Sequence, residues 1–315
     1  MPLRPLGRSG LNVSTVCLGG NVFGWTVDEP TAFKLLDAWL DAGMNFVDTA
    51  DTYSVWIPGH VGGESETMIG NWLKARGNRA KVIIGTKVGM PMAPDRVGLS
   101  PVHIRNSIDA SLQRLQTDYV DLYQSHKDDP AVPIADVLGT YADLIKAGKV
   151  RAIGASNFSA TRLKESLDVS ASRNLPRYES LQPHYNLYER AGYEAEIEPL
   201  CRANDVGVIP YYGLASGFLT GKYRSEKDFG QSPRGRGMAK YLNERGLKVL
   251  AALDAVAGKH KANAAQVAIA WLIARPGITA PIASATKLSQ LKDLIAAAAL
   301  KLDADDVKRL DVAAT

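Results

Sequence analysis

The chain has 315 residues, 46% of them apolar and 22% charged, with a formal net charge of +4. That balance belongs to ordinary globular proteins. It argues against nucleic acid as a partner, which would call for a clustered basic face, and leaves small anionic ligands open. Cys17 and Cys201 are far apart and in no metal-ligand spacing, so they read as reduced core thiols and no metal site is expected. The start, Met1-Pro2-Leu3-Arg4-Pro5, lacks the apolar core of a signal peptide. No apolar run reaches the ~20 residues of a membrane span. The expectation is a cytoplasmic protein with no membrane segment.

Residues 4 to 14 read as two short strands around a turn at Gly7, Ser9 and Gly10, a hairpin ahead of the main fold. A repeating theme follows. Val16 to Leu18 is a strand and Thr31 to Ala42 a helix with Phe33, Leu36, Trp39 and Leu40 on one side. Phe46 to Thr49 is the second strand, followed by a helix over Glu64 to Ala75. Val82 to Thr86 is the third, and Ser100-Pro101 opens a helix to Leu115 as N-cap and first-turn residue. Tyr119 to Ser125 is the fourth strand, with a helix over Ile134 to Ala147 that Gly148 stops. Ala152 to Ala155 and a helix over Thr161 to Val169 form the fifth unit. Leu181 and Gln182 mark the sixth strand, before a helix over Glu194 to Ala203. Val206 to Pro210 is the seventh. After a long loop come a helix over Ala262 to Ala274 and an eighth strand over Thr279 to Ile282. Helices over Ser289 to Leu300 and Asp303 to Leu310 close the chain.

Alternating strands and helices imply parallel pairing with right-handed crossovers. Eight units in this length predict an α/β fold, a (β/α)₈ barrel as one domain over residues 1–315, with an N-terminal β-hairpin cap and a long loop after strand seven. A doubly wound dinucleotide sheet is the rival. It would carry Gly-x-Gly-x-x-Gly after the first strand, which is missing here. Polar strand ends also recur along the whole chain and not at one switch point. The segment from Gly217 to Lys240 is rich in Gly, Ser and cations (Lys222, Arg224, Lys227, Arg234, Arg236, Lys240). Solvated surface is its plain reading. Barrels often bind phosphate in the loops after strands seven and eight, however, and a mobile basic loop there suits a lid.

Three strand regions in a row end in ionisable residues: Asp48 with Tyr53, then Lys87, then His126. Each alone is ordinary, a cap, a surface group or a core histidine. Together they suit acid catalysis at a polarised carbonyl. A phenol titrates near ~10 and needs a nearby cation to lower its pKa. Lys87 can supply the charge if a carboxylate such as Asp48 holds it, because an unpartnered buried ammonium is costly. His126 could orient the substrate oxygen or relay the proton. Hydride must come from a cofactor, since no side chain donates it.

The sequence resembles the aldo-keto reductase superfamily over nearly its full length. The resemblance is carried by Leu18-Gly19, the run from Phe46 to Tyr53, Gly62-Gly63-Glu64-Ser65-Glu66, Thr86-Lys87, the run from Asp118 to His126, Gly154-Ala155-Ser156-Asn157-Phe158, Leu181-Gln182-Pro183, and the run from Gly217 to Tyr223. Its style is closer to the bacterial and potassium-channel-β-like branch than to the mammalian aldose reductases. The resemblance implies a (β/α)₈ barrel reducing aldehydes and ketones with NAD(P)H, without metal or flavin. It maps a catalytic tetrad onto Asp48, Tyr53, Lys87 and His126, with Tyr53 as proton donor.

The resemblance also places cofactor contacts. Ser156, Asn157 and Gln182 match positions gripping the nicotinamide carboxamide, which needs both donors and acceptors. Tyr211 matches the aromatic under the nicotinamide, and Gly19 the close approach to its ribose. Leu214, Ser216, Gly217 and Lys222 match the pyrophosphate loop. Ser284, Thr286, Lys287 and Gln290 match the adenosine phosphate turn, with Ser289 beside them. Thr286 stands where that turn usually has arginine, and Leu294 beside Asp293 where an asparagine is common. A cation with hydroxyls at a helix N-terminus still favours NADPH over NADH.

On the substrate side, Gly20-Asn21 and Tyr211-Tyr212-Gly213 depart from the usual residues. Trp25, Trp56 and Ile57 are expected to wall the pocket, which suits a moderately apolar carbonyl compound or a sugar face. Two rival readings remain. One is a cofactor-binding regulatory subunit of channel-β type with slow turnover. The other is a barrel isomerase or aldolase on sugar phosphates, which leaves Ser156, Asn157, Gln182 and Tyr211 without a purpose.

Overall fold

The computed structural model describes residues 3–315. Strands β1 (Leu3–Pro5) and β2 (Asn12–Ser14) pair antiparallel as the expected hairpin. Eight further strands make one parallel sheet: β3 (Cys17–Gly19), β4 (Phe46–Asp48), β5 (Ile83–Val88), β6 (Val120–Ser125), β7 (Val150–Ser156), β8 (Tyr178–Gln182), β9 (Gly207–Val208) and β10 (Ile282–Ala283). They run in chain order, and β10 returns to lie against β3. At the other edge, Thr279 N donates to Val208 O at 2.8 Å and Ile282 N to Pro210 O at 2.8 Å, bringing the approach to β10 against β9. The arrangement is consistent with a (β/α)₈ barrel.

The surrounding helices are α1 (Glu29–Asp41), α2 (Glu64–Arg76), α3 (Pro101–Leu115), α4 (Ile134–Lys146), α5 (Ala160–Arg173), the short α6 (Ala191–Glu194) and α7 (Ile197–Ala203), then α8 (Glu244–His260), α9 (Ala264–Ala274), α10 (Leu288–Ala299) and α11 (Ala304–Ala313). Their starts follow local chemistry. Asp28, Ser100 and Ser159 each accept a bond from a backbone N–H three residues on, and Asn263 with Gln266 and Asp303 with Asp306 form capping boxes. Among the described residues no helix is long and apolar enough to cross a membrane.

Two cores result. The larger lies between strands and helices and includes Trp39, Trp72 and Trp271. The smaller fills one end of the sheet's interior, where hairpin residues Leu6, Leu11 and Val13 pack against Phe46, Leu122, Ala152 and Ile209. The hairpin is thus a plug. Polar ties fix it: Arg4 Nη1 donates to Ile278 O at 2.9 Å, and Arg8 N to Glu179 Oε2 at 3.0 Å.

The long loop expected between strands seven and eight divides into two parts. Residues 215–220, 226–231 and 235–241 form short 3₁₀ turns. Phe218, Leu219, Met238 and Tyr241 among them, and Tyr223 between the first two turns, are buried. Phe218 stacks on Tyr241 with centroids 4.9 Å apart. Apolar side chains between the cations tack the segment down, so it is a strap and not the loose surface loop that its charge suggests. The second part is α8, which sequence reading had merged into the loop. Its signals are present: Asn243 accepts from Gly246 N at 2.9 Å, and Val249, Leu250, Leu253 and Val256 form one buried face. Gly246 obscures the start of that pattern. It has to be small, because a side chain there would run into the Tyr241 carbonyl.

Asp121 shows how burial assigns roles within a motif. It is 1% exposed and receives Arg79 Nη2 at 2.7 Å, Arg151 Nη1 at 3.0 Å and Ile84 N at 2.9 Å. These bonds pin the start of β6 to β5 and β7, away from the strand ends. Removing one partner of such an arrangement strands the others. Asp121→Ala should therefore cost about 3–5 kcal/mol in urea unfolding; a loss below ~1 kcal/mol, the scale of an exposed ion pair, would show the network to be incidental.

Candidate active site

Asp48 ends β4, Lys87 lies near the end of β5, and Tyr53 sits in the turn after β4. Lys87 is 0% exposed. Its Nζ donates to Asp48 Oδ2 at 2.6 Å, to Thr49 O at 2.7 Å and to Tyr53 Oη at 3.0 Å. An ammonium has three hydrogens, and all three are used. Asp48 Oδ1 in turn accepts from Gln124 Nε2 at 3.2 Å and Gln182 Nε2 at 3.0 Å. His126, just past β6, is 8% exposed, and its ring meets Tyr53 edge-on at 5.9 Å between centroids. Its Nδ1 is buried with no protein partner. The four residues that sequence reading grouped are brought together.

Electrostatics follow from this burial. For Lys87, burial works against the charge, but attraction to Asp48 and Tyr53 outweighs it and moves its pKa above the usual lysine value. His126 is pushed well below its usual value by burial and then by the Lys87 charge, so its imidazole is neutral at pH 7. For Tyr53 the sequence argument predicted a lowered phenol. Lys87 does pull it down, but burial pushes harder, and the net direction is up. The site as it stands holds a neutral phenol beside a fixed cation.

A second group joins the first. Ser156, at the end of β7, donates to Gln182 O at 2.9 Å, and Asn157 Nδ2 donates to His126 O at 2.9 Å and Ser156 Oγ at 3.1 Å. Tyr211 Oη donates to Asn157 Oδ1 at 2.8 Å. One chain of contacts therefore runs from Tyr211 to His126. Gln182 differs from expectation: its amide N–H groups are spent on Asp48 and Gln124 inside the sheet, leaving its carbonyl oxygen as the free end.

Of the remaining expected contacts, Gly19 lies beside Asp48 as its register partner across β3 and β4. Leu214 packs partly buried against the larger core. Ser216 and Gly217 adopt left-handed backbone, with φ of 57° and 107°. Lys222 Nζ sits 4.9 Å over the Tyr223 ring. Gly19 ends β3 against Ser284, and a Cβ on it would fall 2.6 Å from Ser284 Oγ. Ser284 donates to Asn21 Oδ1 at 2.6 Å. Gln290 Oε1 is taken up by Thr286 N at 2.8 Å and Thr286 Oγ1 at 3.0 Å, which shapes the turn before α10. Lys287 occupies the N-cap there, with no side-chain cap bond. Neither residue near the expected asparagine is available: Leu294 is buried, and Asp293 accepts from Asn263 and Gln266.

Over Tyr53 stands an aromatic wall. Trp56 meets Tyr53 at 5.8 Å and Trp25 meets Trp56 at 5.7 Å. Arg234, from the strap, lies 4.9 Å over Trp25. Ile57 is partly exposed beside them.

The aldo/keto reductase family model matches residues 15–314. The chain belongs to that family. It is 36% identical to an uncharacterized oxidoreductase, YrpG, of Bacillus subtilis, over 97% of this chain and 94% of that protein. It is 32% identical to protein tas of Escherichia coli (99% and 97% covered). It is also 32% identical to a putative voltage-gated potassium channel subunit beta of Schizosaccharomyces pombe (99% and 92% covered). An oxidoreductase of the family that uses NAD(P)H is thereby supported.

Sequence reading of this aldo/keto reductase missed a layer behind the cluster. Gln124, on the same strand as Asp121, points inward to Asp48, and only the barrel's curvature reveals that. Glu66 accepts from Thr86 Oγ1 at 2.5 Å and Arg114 Nε at 2.7 Å. Asp51 is 1% exposed with neither carboxylate oxygen bonded. Burial, then the Glu66 charge, pushes its carboxyl up to about 8, against partial relief from Arg114 and Lys87. An unfolded aspartate titrates near ~3.9. Between those values the folded chain holds a proton that the unfolded chain has lost, so stability falls as pH rises through that window. Asp51→Asn should raise the melting temperature, and by more at pH 8 than at pH 5. An advantage of equal size at both pH values would contradict a protonated Asp51.

Proposed function

We propose that this aldo/keto reductase reduces an aldehyde or ketone to the alcohol with NADPH, and that Tyr53 donates the proton. The observation that carries the proposal is the Lys87 ammonium, held by Asp48 Oδ2 at 2.6 Å and aimed at Tyr53 Oη at 3.0 Å. A phenol that gives up its proton leaves an oxyanion. A cation fixed beforehand at hydrogen-bond distance stabilises that charge as it forms, with little reorganisation. Asp48 is the holder: it keeps Lys87 charged and in place. His126, neutral and edge-on to the Tyr53 ring, orients the substrate oxygen toward Tyr53. Trp25, Trp56 and Tyr53 offer apolar surface for the rest of the substrate.

The residues on hand fit the cofactor. Ser156, Asn157 and the free Gln182 side-chain oxygen are the hydroxyl and amide groups a carboxamide pairs with, and the bonds Ser156 and Asn157 now make to one another and to backbone would be exchanged for it, beside the flat ring of Tyr211. The left-handed backbone at Ser216 and Gly217, with Lys222, suits a pyrophosphate. Ser284, Thr286, Lys287 and Gln290 lead into the N-terminus of α10, where unpaired N–H groups favour an anion and support NADPH over NADH. Gly19, with no side chain, lets Ser284 pack close against the end of β3, and its backbone there would face the ribose. Bound there, the dihydronicotinamide supplies the hydride that no side chain can.

A second reading, a cofactor-binding subunit with slow turnover, draws on the relatives named as potassium channel subunits beta. A substrate panel of aldehydes, quinones, steroids and keto-sugars, followed by NADPH absorbance, separates the two. Brisk turnover of at least one class is expected, and binding without turnover across the panel would favour the subunit reading.

Tyr53→Phe should keep NADPH binding and lose roughly 10²–10⁴-fold in kcat, the usual contribution of a positioned acid. Lys87→Met should also disable the enzyme, because the phenol loses its cation. Near-wild-type rates for Tyr53→Phe would remove Tyr53 from the role. The Michaelis constant for NADPH is expected below that for NADH, and the reverse order would overturn the cofactor preference.

A further inference from the structure

His184 and Glu189, just past β8, have no role in the reading above. The His184 ring lies flat on Tyr211, with centroids 5.3 Å apart and planes within 12°. Backbone holds the two side by side: His184 and Tyr211 form a parallel bridge, and Tyr211 N donates to Pro183 O at 3.0 Å. His184 Nε2 stands 2.7 Å from Glu189 Oε2. Glu189 is gripped from several sides. Asn186 Nδ2 donates at 2.9 Å, Tyr241 Oη lies 3.1 Å from both oxygens, and Lys240 Nζ is at 3.3 Å. Burial works against its charge, but His184, Asn186 and Lys240 outweigh this and hold the carboxyl down at about 2.

Lys240 and Tyr241 end the strap. A continuous path therefore runs from strap to Glu189, to His184, to Tyr211, to Asn157. Tyr211 is fixed at its backbone and at its hydroxyl, and Tyr212 meets its ring edge-on at 5.0 Å, which leaves the broad face opposite the nicotinamide to be braced. A flat imidazole packs on that face, and a carboxylate at the imidazole nitrogen keeps the imidazole from turning. The partners of Glu189 all belong to the chain itself, and its link to Tyr211 runs through His184.

We propose that His184 and Glu189 are positioning residues that lock the Tyr211 ring as a nicotinamide platform and tie it to the docking of the strap at Lys240 and Tyr241. The proposal rests on the reading of Tyr211 given under Proposed function.

The test uses the full chain, with NADPH affinity from its fluorescence on titration, steady-state rates and thermal melting. Stacked ring pairs contribute ~0.5–1.5 kcal/mol, which corresponds to roughly 2- to 10-fold in binding. His184→Ala should weaken NADPH binding by that factor and lower kcat at saturating NADPH, with KM for the carbonyl substrate unchanged. His184→Phe, which keeps a flat ring without charge, should recover most of the affinity, and Glu189→Gln should fall between. Unchanged or tighter NADPH binding in His184→Ala would overturn the proposal. So would a His184→Phe variant that melts like wild type yet binds as poorly as the alanine variant. Tyr211→Ala separates the layers: if it weakens binding while His184→Ala does not, only the pair's role falls. If Tyr211→Ala binds normally, the platform reading falls and the pair's role with it.

Discussion

Everything at the open end of the sheet answers to one constraint, the burial of the Lys87 ammonium. A charge with no water around it is tolerable only if each of its hydrogens finds an acceptor and a counter-charge lies close. Here three acceptors converge on Nζ, and two of them, Asp48 and Thr49, come from the end of β4. The third is the Tyr53 phenol. The same bonds that make Lys87 tolerable fix the phenol. Asp48 then needs support of its own, which Gln124 and Gln182 bring from β6 and β8. Three inward side chains from alternate strands thus share one layer, a pattern consistent with a (β/α)₈ barrel.

Rigidity below the site supports rigidity within it. The hairpin plugs one end of the interior with Leu6, Leu11 and Val13, so strand ends at the other face start from a packed base. Asp121 and its two arginines tie three strands together at that lower level. Above, the contacts are different in kind: aromatic edges, single hydrogen bonds and a strap tacked down by Phe218, Met238 and Tyr241.

Burial also decides protonation. Tyr53, His126 and Asp51 are all biased toward their neutral forms by the loss of water, and only the partnered Lys87 moves toward its charged form. The Tyr53 phenol is therefore held neutral beside a lasting cation, and no standing shift toward phenolate exists. The cation beside Tyr53 is visible in the sequence, but the desolvation that outweighs it depends on how deeply the folded chain buries the phenol.

By itself the sequence determined the alternation of strands and helices, because apolar runs of strand length and capped helical repeats are local patterns. The run from Phe46 to Tyr53 and the strand ends at Lys87 and His126 exposed the four-residue cluster, since polar groups that a buried strand cannot absorb stand out against their neighbours. The helix over Glu244–His260 escaped notice because Gly246 and a basic approach blur its start, and that glycine answers to a distant carbonyl. Tertiary structure alone decided which polar residues meet. Asp121 and Gln124 lie three apart on one strand, yet one braces the base and the other supports Asp48. His184 reads as a loop residue until the return of the chain at Tyr211 places a ring on its face. Such roles depend on contacts between residues far apart in the chain, and these exist only once the sheet has curled.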